Sequence, residues 1–468
     1  MVEAAGAASH PGESQSPGKG PLKGHLEPGF ARTTGTSGWR GKCKLQRCSK
    51  CQFAHYCSRN CQARDWTIHK EECPCLQRLN PRRPPDTVRL MGRILFKHRQ
   101  SKDAVTTSVG GRSFESLMSH IEEIKKDAQR IDSFTQAVGF LKAYVGFENL
   151  PELEDLLIVF GKVVINSFNI CNFEMNPIGI GLYLKLSQVD HSCEPNAVII
   201  FNGVEGSLVP LVDPKQTVTF EQARVSYVEL LETREERQRQ LREQYYFTCD
   251  CRRCADSDVL AKDNRLCAFK CLSSDCGGFV IPSNDDEKED FAHCSRCDRK
   301  RSDITDCRRV YQGCLWKTEE ISKLEKQSKN ESDLLSLCSA ALTQSEPVLH
   351  TCNVARIRLQ ERAYDACIRA QRWDEALIYG LAVLEGYRQY YFESHPALSL
   401  QLVAMGRLML YLGKLSDADL MLQKAEKSVR ATHKTDHVLY AAVKELLFQC
   451  HEERRVKMDI EQLTEKHG

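Results

Sequence analysis

VDHSCEPNAVIIFNG (residues 189–203) joins a polar tetrapeptide, Asp190-His191-Ser192-Cys193, through Glu194-Pro195-Asn196 to an alternating apolar run that reads as a strand. The lone cysteine at its edge finds an explanation further along the chain. Cys249, Cys251 and Cys254 crowd into the short run CDCRRC. Three thiolates can grip one metal ion but leave a tetrahedral position open. Cys193 is the obvious donor of the fourth ligand. Such a site would pin the strand region to the segment that follows Tyr245.

The chain has 468 residues, enough for two to four domains. Lys and Arg number 65 against 63 Asp and Glu, so the net charge of +2 carries no global polyanion signal. No apolar run approaches the roughly 18–20 residues that span a bilayer, and no signal peptide opens the chain. These features lead to the expectation of an intracellular protein with no membrane role; nucleus and cytoplasm are both expected compartments, which the sequence does not separate. Thiols stay reduced there, so the 23 cysteines read as metal ligands rather than disulfides. They cluster from Cys43 to Cys75 and from Cys249 to Cys314.

Residues 1–39 are rich in Gly, Ser, Pro and Ala and are expected to be disordered. Residues 40–75 form a Cys/His module, and a basic stretch through Arg99 follows it. Residues 76–248 hold a helical insert at 114–170 and then strands and turns. The charged run from Glu232 to Glu243 reads as a solvated helix face. Residues 249–316 are cysteine-rich, and 317–468 are helical. RAQRWDEALIYG, around Ala376, resembles YLGKLSDADLML, around Ala418, 42 residues later. Small residues at matched positions let paired helices pack closely, as in a helical-hairpin array.

Two further constellations carry metal chemistry. CSKCQFAHYCSRNCQARDWTIHKEEC offers Cys48, Cys51, Cys57, Cys61, His69 and Cys73 as C-x2-C, C-x3-C and H-x3-C pairs. Short-spaced pairs close the turns that a tetrahedral zinc site needs. Cys75 is either a further ligand or a free thiol. Cys271, Cys276, Cys294 and Cys297 resemble a zinc ribbon, with Cys267, Cys307 and Cys314 as competing ligands or packing thiols.

The first constellation resembles a MYND finger. That finger, followed by PPDTVRLMGRILFK, INSFNICNFEMNPIGIGLY, DHSCEPNA and EERQRQLREQYYFTCDCRRC, is similar to the SET and MYND domain (SMYD) lysine methyltransferases from about residue 44 onward. The resemblance implies an α+β fold: a β-rich SET domain interrupted by a MYND zinc finger, a zinc-bound post-SET region and an all-α tetratricopeptide-like C-terminal domain. In the finger it implies one zinc on Cys48, Cys51, His69 and Cys73. The other would be held by Cys57, Cys61 and an upstream pair, of which only Cys43 is present. It implies S-adenosylmethionine as methyl donor and Zn2+ as structural ion. Asn166, Ser167, Asp190, His191 and Phe247 would bind the cofactor. Tyr227 would be catalytic, and Phe168 and Tyr245 would wall the lysine channel. Cys193, Cys249, Cys251 and Cys254 would hold the post-SET zinc.

The implied partners are histone or other protein lysines, proline-containing peptides at the finger and, through the basic stretch, weak DNA contact. Asp190 stands where the family has Asn. Phe220 stands where it has a turn glycine, which implies a relaxed or re-routed turn; the two departures together imply weakened cofactor binding. The competing expectation is a catalytically impaired scaffold that binds proteins through the finger and the helices.

Overall fold

The computed structural model describes residues 2–6, 45–100, 111–211, 216–282, 290–327 and 330–465. Cys43 and most of the stretch expected to be disordered lie outside the described residues. Within that stretch, however, Val2–Gly6 forms strand β1. The finger then opens with a short hairpin, β2 (Gln46–Arg47) against β3 (His55–Tyr56), and feeds helix α1 (Arg59–Leu79). Ser58 starts that helix by accepting the Cys61 N–H at 3.1 Å.

Helices α2 (Asp86–Gln100), α3 (Ile121–Ile124), α4 (Ala128–Val145) and α5 (Leu153–Asn166) pack into one layer. Leu90, Met91, Leu141, Tyr144, Phe160 and Val163 form its centre, each at most 2% exposed. The finger residues Cys48, Cys51, Cys61 and Cys73 belong to the same apolar cluster, so finger and helical layer share a core.

α5 runs directly into β4 (Ser167–Cys171), which turns back as β5 (Pro177–Tyr183). Asn172 closes this turn: its Oδ1 accepts the N–H groups of Glu174 and Asn176. β1 completes the sheet in the order β1-β5-β4, antiparallel throughout. The opening stretch supplies β6 (Asp190–His191) and β7 (Ala197–Asn202), so the expected strand is present. β7 pairs with β8 (Glu205–Pro210), while β6 lies parallel to β9 (Arg224–Val225). The turn that carries Phe220 is not strained. Gln222 and Ala223 both donate to the Thr219 carbonyl, and Phe220 is not among the residues of positive φ.

α6 (Arg234–Tyr245) occupies the charged run, and here the structure corrects the expectation of a solvated face. Arg237 is fully buried, with Gln238 and Leu241 beside it. α7 (Arg252–Ala255) and α8 (Ser257–Asp263) lead to two small hairpins, β10 (Phe269–Lys270) with β11 (Phe279–Val280) and β12 (Ala292–His293) with β13 (Lys300–Arg301).

The remaining helices are α9 (Ile304–Lys326), α10 (Glu331–Ser345), α11 (Val354–Arg369), α12 (Trp373–Tyr390), α13 (Pro396–Tyr411), α14 (Leu415–Thr432) and α15 (Val438–Glu465). They begin at Ile304, earlier than the sequence boundary at 317. No described helix is long and apolar enough to cross a membrane.

The repeat recurs in hydrogen bonds. Between α11 and α12 the Arg372 N–H donates to the Cys367 carbonyl at 2.9 Å; between α13 and α14 Lys414 donates to Met409 at 2.9 Å. Gln371 and Gly413, 42 residues apart, both have positive φ, at 58° and 69°. Ala376 and Ala418 are fully buried one turn into their helices. Helix starts repeat as well. Asn353, His395 and His437, spaced by 42, each accept the N–H two residues on. Gln371 carries a side chain where its equivalent is glycine, at a cost of about 1 kcal/mol in this conformation. Gln371→Gly is expected to raise the thermal midpoint by relieving that cost. A lower midpoint would show that the side chain contributes more than the turn costs.

Candidate active site and metal centres

Three groups of ligand atoms converge among the described residues: Cys48, Cys51, His69 and Cys73; Cys193, Cys249, Cys251 and Cys254; and Cys271, Cys276, Cys294 and Cys297. Within each group the ligand atoms lie within 4.8 Å of one another. Each set of four soft donors suits tetrahedral zinc.

In the finger, Cys48 Sγ is 3.8 Å from Cys73 Sγ, and Cys51 Sγ is 3.6 Å from His69 Nε2. Gln52 takes a φ of 55°, and the Phe53 N–H then points at Cys51 Sγ, 3.4 Å away. The second nitrogen of His69, Nδ1, faces Glu72 Oε1 at 3.1 Å. Glu72 is fully buried and is gripped side-on by two guanidinium groups of α2. Arg89 reaches it at 3.0 and 2.7 Å and Arg93 at 3.0 and 2.6 Å. The Tyr144 hydroxyl of α4 adds a bond at 3.2 Å. Burial works to raise the Glu72 carboxyl, but Arg89, His69 and Arg93 outweigh it and hold it well below the usual range. Gly92 makes room for this contact, because a Cβ there would lie 2.6 Å from the Tyr144 ring. Cys57 and Cys61 lie close enough to perturb each other, but their expected upstream partners are outside the described residues. Cys75 joins no ligand group; Arg78 Nη2 donates to its sulfur at 3.4 Å.

The ribbon quartet is built from two tight turns. Cys271 and Cys297 approach to 3.5 Å and Cys276 and Cys294 to 3.7 Å. The N–H groups of Ser273 and Arg296 point at Cys271 and Cys294. Gly278 has no room for a Cβ, which would lie 2.6 Å from Cys294 Sγ. The competing cysteines are elsewhere: Cys307 and Cys314 are packed in the apolar core, and Cys267 faces the Tyr311 hydroxyl.

Cys193 does join Cys249, Cys251 and Cys254. Its sulfur is 4.0 Å from Cys249 Sγ and 3.6 Å from Cys254 Sγ. Thiol hydrogen bonds, first that to Cys193, hold Cys251 well below the usual range, while the same contact pushes Cys193 up. Four such thiols cannot all ionise without a cation between them. Gln238 fixes Cys249 by bonding both its N–H and its carbonyl. Behind the quartet Arg237 Nη2 donates to Asp263 at 2.7 Å and lies 4.0 Å from Cys254 Sγ. Arg253 shares Asp263 and also donates to the Cys193 carbonyl.

This quartet abuts the expected active-site residues. His191 Nδ1 accepts the Tyr227 N–H at 3.0 Å, so the proton of the neutral ring resides on Nε2, 3.2 Å from Cys193 Sγ. Burial keeps the ring neutral by lowering its pKa to about 4. The rings of Tyr227 and Tyr245 lie 5.0 Å apart, and those of His191 and Phe247 5.9 Å. Tyr246 ends α6 in a left-handed conformation, which turns Phe247 and the cysteines back towards Cys193. The Tyr227 hydroxyl donates to the Val189 carbonyl at 2.7 Å, and burial, with Asp190 and Tyr245, raises its pKa to about 12.

The other expected residues stand apart from that wall. Phe168 packs edge-on to Tyr183 in a neighbouring apolar cluster. Asn166 Nδ2 bonds to the Met118 and Lys162 carbonyls. Ser167 Oγ is buried with no hydrogen-bond partner. Asp190 is exposed and pairs with Arg224 across β6 and β9. Sequence reasoning missed Glu72, Arg89, Arg93 and Arg237. Charged residues at helical spacing read as solvent-facing until their partners are known.

A MYND finger family model matches residues 38–73. The human histone-lysine N-methyltransferase SMYD3 is 33% identical over 419 residues, covering 88% of this chain and 86% of that relative. The mouse N-lysine methyltransferase SMYD2 is 28% identical over 430 residues, covering 90% and 87%. The Arabidopsis thaliana histone-lysine N-methyltransferase ASHR1 is 28% identical over 411 residues, covering 83% and 81%.

Two outcomes follow from the metal centres. Metal analysis of the purified chain is expected to find at least three zinc ions, one for each converged group. Glu72→Gln is expected to weaken finger zinc by about 10–100-fold, read by chelator competition, because the carboxylate orients His69. It should also destabilise the chain by roughly 3–5 kcal/mol, since Arg89 and Arg93 are left buried without their counter-charge. Unaltered zinc retention would separate Glu72 from the metal.

Proposed function

The chain belongs to the SET and MYND domain family, and from that premise we propose that it is a protein-lysine N-methyltransferase using S-adenosylmethionine on histone or non-histone lysines. The observation that carries this reading is the aromatic wall of Tyr227, Tyr245 and Phe247, joined through His191 to the Cys193 quartet. In this reading the wall belongs to a SET domain, the quartet to its post-SET zinc and the C-terminal helices to a tetratricopeptide-like array.

S-adenosylmethionine supplies a methyl group on a sulfonium sulfur. Transfer to an amine is an in-line displacement, so the protein's work is alignment and desolvation. Lysine has an ordinary pKa of about 10.4 and must lose a proton first; an aromatic channel disfavours the ammonium form. Tyr245 and Phe168 would wall that channel. The Tyr227 hydrogen is committed to Val189, so the oxygen lone pairs are left to hold the incoming amine. Phe247 would stack on adenine. The partnerless Ser167 hydroxyl supports a ligand at that point, since buried polar atoms normally find partners. Asn166 would shape the pocket through the carbonyls it holds, and the exposed Asp190 carboxylate suits the cofactor's cationic side. His191 would contribute through its hold on Tyr227.

The finger would present a surface to proline-containing peptides, and exposed basic residues in it and in the stretch that follows, among them Arg47, Lys50 and Arg82, would allow weak DNA contact. A chromatin-regulating role divided between nucleus and cytoplasm accords with such partners.

Tyr227→Phe is expected to lower transfer of a labelled methyl group by about a hundredfold or more, with S-adenosylmethionine still binding in a calorimetric titration. An unchanged rate would remove Tyr227 from the mechanism. Because Tyr227 stays protonated up to about pH 12, the wild-type rate should climb towards the lysine pKa without a downturn below it. A downturn near neutrality would assign the proton chemistry to another group.

A further inference from the structure

Arg112 lies outside every motif that the sequence singled out. Its Nη1 donates to the Ser187 carbonyl at 3.0 Å, while its Nε is buried with no hydrogen-bond partner. None of the described carboxylates forms an ion pair with it. Nη1 being taken, the side-on edge that includes Nε is the edge left to bind, and that edge is the one a carboxylate engages through two parallel bonds. A buried donor left without an acceptor is costly, so its persistence points to a partner that arrives from outside the chain.

The position of Arg112 narrows the choice of partner. Ser187 lies two residues before Val189, whose carbonyl holds the Tyr227 hydroxyl. Arg112 and Asp190 act on that hydroxyl with opposite signs. The segment carrying Arg112 also delivers the Glu115 and Met118 carbonyls to Lys162 and Asn166, next to the partnerless Ser167 hydroxyl. Near one tyrosine, therefore, stand a guanidinium in need of an acceptor and an exposed carboxylate. An amino-acid zwitterion complements both.

We infer that Arg112 anchors the cofactor, its guanidinium binding the α-carboxylate of the methionine portion of S-adenosylmethionine. This rests on the methyltransferase reading above. It assigns to one side chain the grip on the cofactor's single carboxylate, with Asp190 on the side of its ammonium group. Arg112 acts in binding and takes no part in bond making.

The test is calorimetric titration of the full-length, zinc-loaded chain with two ligands, S-adenosylmethionine and its decarboxylated analogue. Arg112→Met is expected to weaken the first by about 10–100-fold, the range of a charge-assisted pair, and to leave the second unchanged. Arg112→Lys keeps the charge but loses the fork and should fall between. If Arg112→Met does not fold, Arg112→Lys is read with the same two ligands, and selective loss of the carboxylated one is still required. Equal losses for both ligands would reduce Arg112 to a structural role and overturn the assignment, as would full affinity for S-adenosylmethionine. A wild-type chain that binds neither ligand would overturn the methyltransferase reading and this one with it.

Discussion

Closure of the chain between Cys193 and Cys249, 56 residues apart, is the constraint on which the half that carries the candidate site depends. Neither end is held by a long sheet. β6 and β9 contribute two residues each, and the hairpin of β7 and β8 packs against the three-stranded sheet without joining its ladder. Short strand pairs are marginal on their own. The cysteine quartet replaces the missing ladder: it fixes the end of α6 against the polar turn at 191–193. Arg237 and Arg253 carry positive charge to the quartet's buried side, and Asp263 holds both in place. The tie reaches Tyr227 through a single ring, for His191 has one nitrogen at the Tyr227 N–H and the other at Cys193 Sγ. Quartet, imidazole and tyrosine backbone thus form one continuous chain of contacts.

The helical array is joined to this half by a position that its own repeat generates. Each helix that opens a repeat needs a cap, and Asn353, His395 and His437 supply it at intervals of 42 residues. Side chains longer than a cap requires can do a second job. Asn353 Nδ2 bonds to the Ala268 carbonyl, and His437 Nε2 meets the Phe201 carbonyl on β7. At the middle repeat His395 stacks on Tyr391, whose hydroxyl bonds to Glu229 close to Tyr227. Arg358 on α11 pairs with Glu232. Docking by the capping loops leaves the helix flanks to the array's own packing and brings three successive turns against the half that carries the candidate site.

What could be read from the sequence follows from how local each signal is. Paired cysteines report a metal site because the ligand spacing itself closes the turn, and all three quartets come together as expected. The 42-residue repeat was visible through Ala376 and Ala418, since a buried small residue tolerates no substitute. The repeat of the caps was not visible, because Asn and His share no chemistry in a residue-by-residue comparison even though each accepts the same kind of N–H. Long-range ion pairs were equally hidden. Arg237 sits in a run of nine charged and polar residues and looks solvated. Only its distance from Asp263, 26 residues on, makes it a core residue. Phe220 marks a turn that could be read only in part. A lost glycine suggests a relaxed or re-routed turn, and in this chain the turn stays out of positive φ, so a side chain fits there without strain.

The two metal centres with expected family ligands are buttressed in opposite senses. At the quartet, cations face thiolates. At the finger a carboxylate, Glu72, faces the back of a ligand histidine, and two guanidinium groups neutralise it. Desolvating so many charges makes such a cluster a poor source of stability compared with apolar packing of the same volume. What it supplies is register. Two side-on forks and one hydroxyl meet the two oxygens of a single carboxylate, so α2 and α4 can sit against the finger in one way only. Gly92 enforces the same fit sterically, since any larger residue would displace Tyr144. A finger held by one carboxylate at the centre of the helical layer cannot turn independently of that layer.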